Sequence, residues 1–190
     1  MKKSVLKKAA ICVSAGAMLV SFAATTASAA AKAKLITLPN FRVIQQEKGN
    51  YCIPACIQSA LLYSGNKAEK QKAIDKVIKE DFSKIPNYMN ARQGKCRYIR
   101  LVSPSLKQLK DKVYHDVTIP KMPTFLLIVN PFGDDWYYST PGHCVLAIGI
   151  ESDYSQIRIA DPLGDKVKGC PYTYLKSSKL VGRLTTQLCW

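Results

Sequence analysis

Histidine and acidic residues are scarce in this 190-residue chain. It has two histidines, and its 13 Asp and Glu face 28 Lys and Arg, which gives a formal net charge of +15. Any chemistry that needs an imidazole must therefore use His115 or His143. The basic residues form no compact run and no motif interleaved with aromatics, so nothing is typical of a module that binds DNA or RNA. The excess charge predicts attraction to anionic surfaces such as a cell wall or membrane.

Long apolar runs are absent except for one near the N-terminus. Four lysines precede an uncharged stretch of small and apolar residues that ends in Ala27-Ser28-Ala29, an A-x-A cleavage pattern. We expect residues 1–29 to be a secretory signal peptide, although a membrane anchor is an alternative. Residues 30–190 then form one domain with a net charge of +11, large enough for a substantial core. The mature protein is expected outside the cell or at its surface.

Hydrophobic spacing predicts helices first and strands afterwards. Helices are expected at about 50–65, with Asn50 as its cap, at about 67–81, and from Ser103 onward. Strands are expected at 124–129, 143–150 and 155–161. Segment 84–101 has no clear period and is interpreted as loop or strand. This order indicates an α+β fold in which N-terminal helices pack on an antiparallel β-sheet.

Cys52 lies at the start of the first predicted helix, in the segment NYCIPACIQSALLYSG. A helix N-terminus and a nearby imidazolium both favour the thiolate, which is the reactive form of cysteine. A thiol nucleophile also needs a base, and His143 opens an apolar strand directly after a turn. His115 ends a charged helix, where a solvated surface residue is expected. The sequence therefore favours Cys52 paired with His143.

Two further residues complete the candidate site. Asp161 ends the following strand and could hold the His143 ring by accepting its other N–H, although an aspartate before a proline is also a common turn starter. Gln46 lies six residues before Cys52, so its side-chain amide could join the Cys52 backbone N–H in an oxyanion hole. Gln45 is a rival for that role. The resulting order along the chain is Gln, Cys, His and Asp.

Three segments together resemble the motif blocks of papain-like cysteine peptidases of the bacteriocin-processing type, the double-glycine leader peptidases, and of their secreted stand-alone relatives. These segments are QEKGNYCIPACIQSALLYSG, GHCVLAIGI and IRIADP. The resemblance implies a papain-like fold that hydrolyses a peptide or peptide-like amide in a peptide or protein substrate and requires no cofactor. It also implies roles for Gln46 as oxyanion donor, Cys52 as nucleophile, His143 as base and Asp161 as the residue that orients His143.

The chain departs from that family pattern directly after the candidate nucleophile. The family commonly has glycine there, whereas this chain has Ile53, which would either narrow the cleft or mark a member that has lost activity. A catalytically silent, disulfide-containing binding protein on a papain-like scaffold is therefore an alternative. A cell-wall amidase or endopeptidase of the other papain-like type is another. A zinc site built from Cys52, Cys56, His143 and Cys144 fits known ligand spacings poorly.

Six cysteines remain once the signal peptide is removed, and an oxidising compartment favours bridges between them. The expected half-cystines are Cys96, Cys170 and Cys189, with Cys56 or Cys144 as a possible fourth. Otherwise we expect Cys56 to pack on the buried face of its helix. Cys144 is expected in the core, on the strand face opposite to His143.

Overall fold

The computed structural model describes residues 33–129, 142–180 and 184–189. The predicted signal peptide lies outside these ranges. Within them the elements are, in chain order, β1 Leu35–Thr37, α1 Cys52–Tyr63, α2 Gln71–Ile78, a short 3₁₀ helix Phe82–Lys84, α3 Ile85–Asn90, β2 Tyr98–Val102, α4 Leu106–Thr118, β3 Thr124–Val129, β4 Gly142–Glu151, β5 Gln156–Ala160, α5 Gly164–Lys168, β6 Tyr172–Lys176, α6 Ser177–Leu180 and β7 Leu184–Cys189. No helix in the described ranges is both long and apolar enough to cross a lipid bilayer.

The strands of the described ranges form one antiparallel sheet in the order β2-β7-β3-β4-β5-β6. Strand β1 also pairs with β4. It lies on the same side of β4 as β3 does, but it pairs with the last residues of β4, whereas β3 pairs with the first ones. Residues 143–150 of β4 are all buried rather than alternately buried, and α1 and α4 both contact this strand. Both faces of β4 are therefore covered, which places the core around it. The predicted α+β arrangement with an antiparallel sheet is confirmed.

Helix α1 spans Cys52–Tyr63, close to the predicted bounds, and Gly65 follows its C-cap residue Ser64. Gly65 has a left-handed backbone (φ 82°), the conformation that commonly ends helices. The predicted cap is wrong, because Tyr51 precedes the helix and makes no side-chain cap. Asn50 instead donates its side-chain amide to the carboxylate of Glu80 at 2.7 Å. A hydrogen bond to a charged group is stronger than one to a neutral acceptor, which favours this contact.

Several other boundaries differ from the sequence prediction. Helix α2 begins at Gln71 rather than near 67, because Lys70 has an extended backbone. Helix α4 begins after Ser105, whose side chain forms a capping box with Gln108. Segment 84–101 contains both α3 and β2. Helix α3 and strand β2 each span too few residues to produce a recognisable hydrophobic period.

The pairing of β4 with β5 changes register between Ala147 and Gly149. On one side of the change the pairs are Gly149 with Arg158 and Ile150 with Ile157, and on the other they are Ala147 with Ile159 and Leu146 with Ala160. Strand β4 therefore has one residue more than β5 across this point, which defines a β-bulge. An extra residue changes which side chains of the two strands share a face.

Close packing of β1 against this bulge predicts that Gly149→Ala destabilises the fold. An added Cβ would lie 2.8 Å from the carbonyl oxygen of Ile36 and 2.9 Å from the Thr37 side chain. We expect the free energy of unfolding to fall by about 1–3 kcal/mol, because the backbone of β1 must move to make room for the Cβ. In the control Gly94→Ala, the Cβ meets nothing within 4 Å, and we expect a change below about 0.5 kcal/mol. Urea unfolding measures both, and equal stabilities would contradict the prediction.

Candidate active site

Cys52 is the first residue of α1, and its thiol is free and partly accessible. The start of a helix carries the positive end of the helix dipole, which favours a negative charge on the sulfur. Because the thiol is free, Cys52 is not half of a disulfide in this structure. The side chain of Cys52 forms a hydrogen bond with that of His143.

His143 is the second residue of β4 and is almost completely buried. Its Nε2 lies 2.7 Å from Oδ1 of Asp161, so Nε2–H donates to the carboxylate. With Nε2 engaged in this way, Nδ1 is the ring nitrogen left to face the thiol. The other histidine, His115, lies on α4 beside Asp116 and is more exposed. The structure thus brings Cys52 and His143 together, as the sequence predicts.

Asp161 is fully buried directly after β5. Besides the His143 ring, its Oδ1 accepts the backbone N–H of Leu163 at 2.8 Å. Its own N–H donates to the carbonyl of Pro171 at 2.8 Å. The two sequence interpretations of Asp161 are therefore compatible, since the same oxygen that begins the Asp-Pro turn also contacts the imidazole. Its fixed backbone holds the carboxylate in place for His143.

The electrostatics of the site favour a charged imidazole. Burial opposes the charged ring, but hydrogen bonds to Asp161 and Cys52, and the charges of both groups, outweigh it and raise the pKa of His143 from 6.5 to about 9. His143 is therefore protonated at neutral pH. An imidazolium next to a thiol favours the thiolate.

Two further thiols lie beneath the site. Cys56 and Cys144 are completely buried and free, as their predicted packing roles require. The Sγ of Cys56 donates to the carbonyl oxygen of Cys144 at 3.3 Å. Burial, followed by the contact with Cys144, raises the pKa of the Cys56 thiol well above its ordinary value. Cys56 therefore stays neutral and does not compete as a nucleophile.

The expected bridges are confirmed at one cysteine and wrong at another. Cys96 is disulfide-bonded. Cys170 was expected to be a half-cystine, but its thiol is free and exposed. It lies in the turn before β6, where its Sγ donates to the carbonyl of Tyr172 at 3.4 Å. The side chain of Cys189 lies outside the described residues.

Buried polar contacts fix the segment that precedes the candidate nucleophile. The side-chain amide of Gln71, on α2, donates to the carbonyl of Gln45 at 2.8 Å, and its Oε1 accepts the N–H of Glu47 at 2.9 Å. Gln71 itself is completely buried. Because hydrogen bonds made in the interior are costly to break, these contacts hold the segment against α2.

Both the side chain and the backbone of Gln46 form hydrogen bonds that stabilise the same segment. Its Nε2 donates to the carbonyl oxygens of Lys48 and Gly49 at 2.8 and 2.9 Å. Its backbone N–H donates to Pro162 at 2.8 Å, and its carbonyl accepts Nζ of Lys166 at 2.6 Å. Gln46 thus ties the loop before the nucleophile to the residue that follows the candidate orienting aspartate. Both amide hydrogens have acceptors here, so the oxyanion role of Gln46 stays a prediction.

An open groove of about 420 Å³ gives access to the thiol and the imidazole. Its described lining residues are Gly49, Asn50, Cys52, Ile53, Glu80, Leu127, Gly142 and His143. Sequence reasoning missed Asn50, Glu80 and Leu127 as site residues. Asn50 is close to the nucleophile in the chain itself, two residues before Cys52. No sequence signal marks Glu80 or Leu127, because they reach the groove only through the packing of α2 and β3 around α1. Ile53, the departure from the family pattern, forms part of the wall.

A metal site is not supported by the described residues. Within the ranges 33–129 and 142–180, no group of three or more His, Cys, Asp and Glu side chains is arranged to hold a metal ion. The four residues of the alternative zinc site all lie in those ranges. Cys52, Cys56, His143 and Cys144 are therefore not arranged as the four ligands of a zinc ion.

Comparison with known proteins decides the family. The model of the family described as "Peptidase_C39 like family" matches residues 38–181. The chain belongs to this family. The fold is similar to that of the peptidase domain of Streptococcus ComA, a bi-functional ABC transporter involved in a quorum sensing pathway, with a TM-score of 0.51, 14% identity, and coverage of 78% of this chain and 98% of that chain. A search of curated proteins finds no match.

These findings confirm the predicted resemblance and the predicted α+β papain-like fold. At 14% identity the likeness to the ComA domain shows the fold alone. Family membership supports a cysteine peptidase in the Peptidase_C39-like group.

The contacts of His143 predict an unusual titration that NMR can measure. We expect the His143 ring to titrate near pH 9 and to do so at lower pH in Asp161→Asn, which loses the charge that stabilises the imidazolium. The chain has two histidines, so His143→Gln assigns the signals. A wild-type His143 that titrates near 6.5 would contradict the described geometry.

The same shift predicts a pH-dependent stability. Folding raises the pKa of His143, so the protonated ring stabilises the folded protein. This contribution to the free energy of unfolding is complete below about pH 6.5 and is lost as the pH rises through about 9. Its magnitude is on the order of 3 kcal/mol. Urea unfolding of the wild type and of His143→Gln at low and high pH measures the difference between them. A pH-independent difference would contradict this prediction.

Proposed function

We propose that this protein is an exported cysteine peptidase that hydrolyses a peptide or peptide-like amide bond. The observation that carries the proposal is the chain of contacts from Cys52 through His143 to Asp161 at an open groove. A nucleophile, its base and the residue that orients the base are the parts that thiol hydrolysis requires. Membership in the Peptidase_C39 like family supports the same chemistry.

In the proposed acylation step, the Cys52 thiolate attacks the carbonyl carbon of the scissile amide. A C–S bond forms, and the π electrons of the carbonyl move to its oxygen. When the tetrahedral intermediate collapses, the C–N bond breaks, and the His143 imidazolium gives its proton to the leaving amine. Asp161 stays ionised and keeps the ring oriented, so that Nδ1 faces the sulfur.

In the proposed deacylation step, neutral His143 takes a proton from a water molecule. The water oxygen attacks the thioester carbonyl, a second tetrahedral intermediate forms, and its collapse breaks the C–S bond. The acid product leaves, and the thiolate and imidazolium are restored. No cofactor takes part in the proposed cycle.

We assign the developing oxyanion to the backbone N–H of Cys52 and to the side-chain amide of Gln46. The first donor lies at the start of α1, where backbone N–H groups have no partner within the helix. The second becomes available only if Nε2 of Gln46 gives up a contact with the carbonyl of Lys48 or Gly49. In this proposal, the Gln46 amide releases one of these backbone carbonyls when substrate binds and donates to the oxyanion instead.

A binding protein without turnover is the second candidate, and Ile53 favours it. Ile53 directly follows Cys52, is 5% exposed and forms part of the groove wall. A β-branched side chain is stiff, so it restricts the space for an acyl group and an attacking water. The two candidate functions therefore differ in turnover rather than in peptide binding.

Hydrolysis of a defined peptide mixture, followed by mass spectrometry, tests the peptidase proposal. We expect Cys52→Ala to abolish cleavage, because no nucleophile remains. His143→Ala and Asp161→Asn should lower kcat by about 10²- to 10⁴-fold. Cys170→Ala removes an exposed thiol outside the groove and should leave activity unchanged. Cleavage that survives in Cys52→Ala would refute the mechanism, and turnover that appears only in Ile53→Gly would favour the silent scaffold.

Export and retention at an anionic surface are the other part of the proposal. The lysine-rich start, the apolar stretch and the A-x-A pattern support a cleaved signal peptide. We expect intact-mass spectrometry to find a protein that begins at residue 30. Its net charge of +11 should make its release from the cell surface increase with salt. A protein that keeps residues 1–29 in the membrane fraction would contradict this expectation.

A further inference from the structure

Glu80 is the one carboxylate among the described residues that line the groove. It follows the end of α2, where Lys79 and Glu80 both have left-handed backbones (φ 51° and 59°). This turn carries the Glu80 side chain to the same groove that exposes Cys52 and His143. The proposed acyl transfer gives Glu80 no role, so its location there needs another explanation.

A single hydrogen bond fixes the direction of the Glu80 carboxylate. Its Oε1 accepts Nδ2 of Asn50 at 2.7 Å. Asn50 is also a groove residue and lies two positions before Cys52. This hydrogen bond links the carboxylate to the residues just before α1.

The charge of Glu80 has no protein counter-ion among the described residues. None of the ion pairs between described residues includes Glu80. This is notable in a chain with 28 basic residues and 13 acidic ones, where cations are abundant. A fixed carboxylate that faces a groove directs its field at whatever enters that groove.

We propose that Glu80, oriented by Asn50, is a specificity-determining residue that selects substrates with a positive charge close to the scissile bond. The charge is either a Lys or Arg side chain or the N-terminal amine of a short peptide. The groove of about 420 Å³ is near the small end of ligand pockets, about 300–1,000 Å³. A cation beside Glu80 is therefore close to the bond that Cys52 attacks. The inference rests on the proposed peptidase function and adds its substrate class.

The size of the expected preference follows from the exposure of the carboxylate. Glu80 is an exposed residue, so solvent and salt screen its interactions. Exposed ion pairs contribute modestly, which corresponds to a preference of about three- to tenfold. The preference should fall as the ionic strength rises, whereas one based on shape would not.

Internally quenched octapeptides with one Lys, Gln or Glu at each position in turn test the proposal. At one position we expect kcat/KM to be about three- to tenfold higher for Lys than for Gln, with Glu lowest. The ratio of Lys to Gln should approach one in Glu80→Gln and invert in Glu80→Lys. Glu47→Gln changes net charge equally but affects an exposed residue that is not among the groove residues, so it should keep the wild-type ratio. Acetylated and free N-termini distinguish a side chain from a terminal amine.

Binding to Cys52→Ala separates this proposal from the peptidase proposal. Fluorescence anisotropy with the same peptides, labelled and without quencher, measures affinity when no bond is cleaved. If the wild type cleaves nothing, tighter binding of the Lys peptide that disappears in the double variant with Glu80→Gln still supports the role of Glu80. Equal results for Lys and Gln peptides, whether both bind or neither does, overturn it. A Lys preference that survives in Glu80→Gln also overturns it.

Discussion

The hydrogen bond between His143 and Asp161 is the contact on which the rest of the candidate site depends. It is 2.7 Å long and buried, and it gives the imidazole a defined orientation and a carboxylate partner. Neighbouring strands supply the two residues, so their side chains meet only if they lie on the same face of the sheet. The last pair before Asp161 joins Leu146 to Ala160. When this register is continued one step beyond the end of β5, Asp161 falls opposite Val145, and His143 is then its diagonal neighbour on the same face.

The β-bulge in β4 produces this arrangement. On the far side of the bulge, the pairing that includes Gly149 is offset by one residue. Without the extra residue, that register would place Asp161 opposite Leu146, and its carboxylate would share a face with Cys144 instead of His143. A local irregularity in the sheet therefore decides which strand residue the carboxylate contacts. Bulges are known to redirect side chains near active sites, and here the effect is a change of face.

Much of the candidate site follows from sequence because chemistry limits the choice of residues. Cys52 begins a helix, and His143 is the second residue of the apolar strand β4, so residue type and local pattern were sufficient to pair them. The bulge that aligns Asp161 has no local pattern, since it depends on how three strands pack together. The contacts of Gln46 and Glu80 likewise depend on which carbonyl or amide the fold brings near them. Cys170 shows the same limit, because cysteine count predicts a bridge only where geometry supplies a partner.

The rate at which Cys52 is alkylated in the native, unreduced protein measures whether His143 activates its sulfur. Iodoacetamide reacts with thiolates, and Cys170 provides an exposed free thiol in the same molecule for comparison. We expect Cys52 to react about tenfold or more faster than Cys170 below neutral pH, and we expect this difference to disappear in His143→Gln. Equal rates at the two cysteines in the wild type, or recovery of Cys52 in a disulfide, would contradict it.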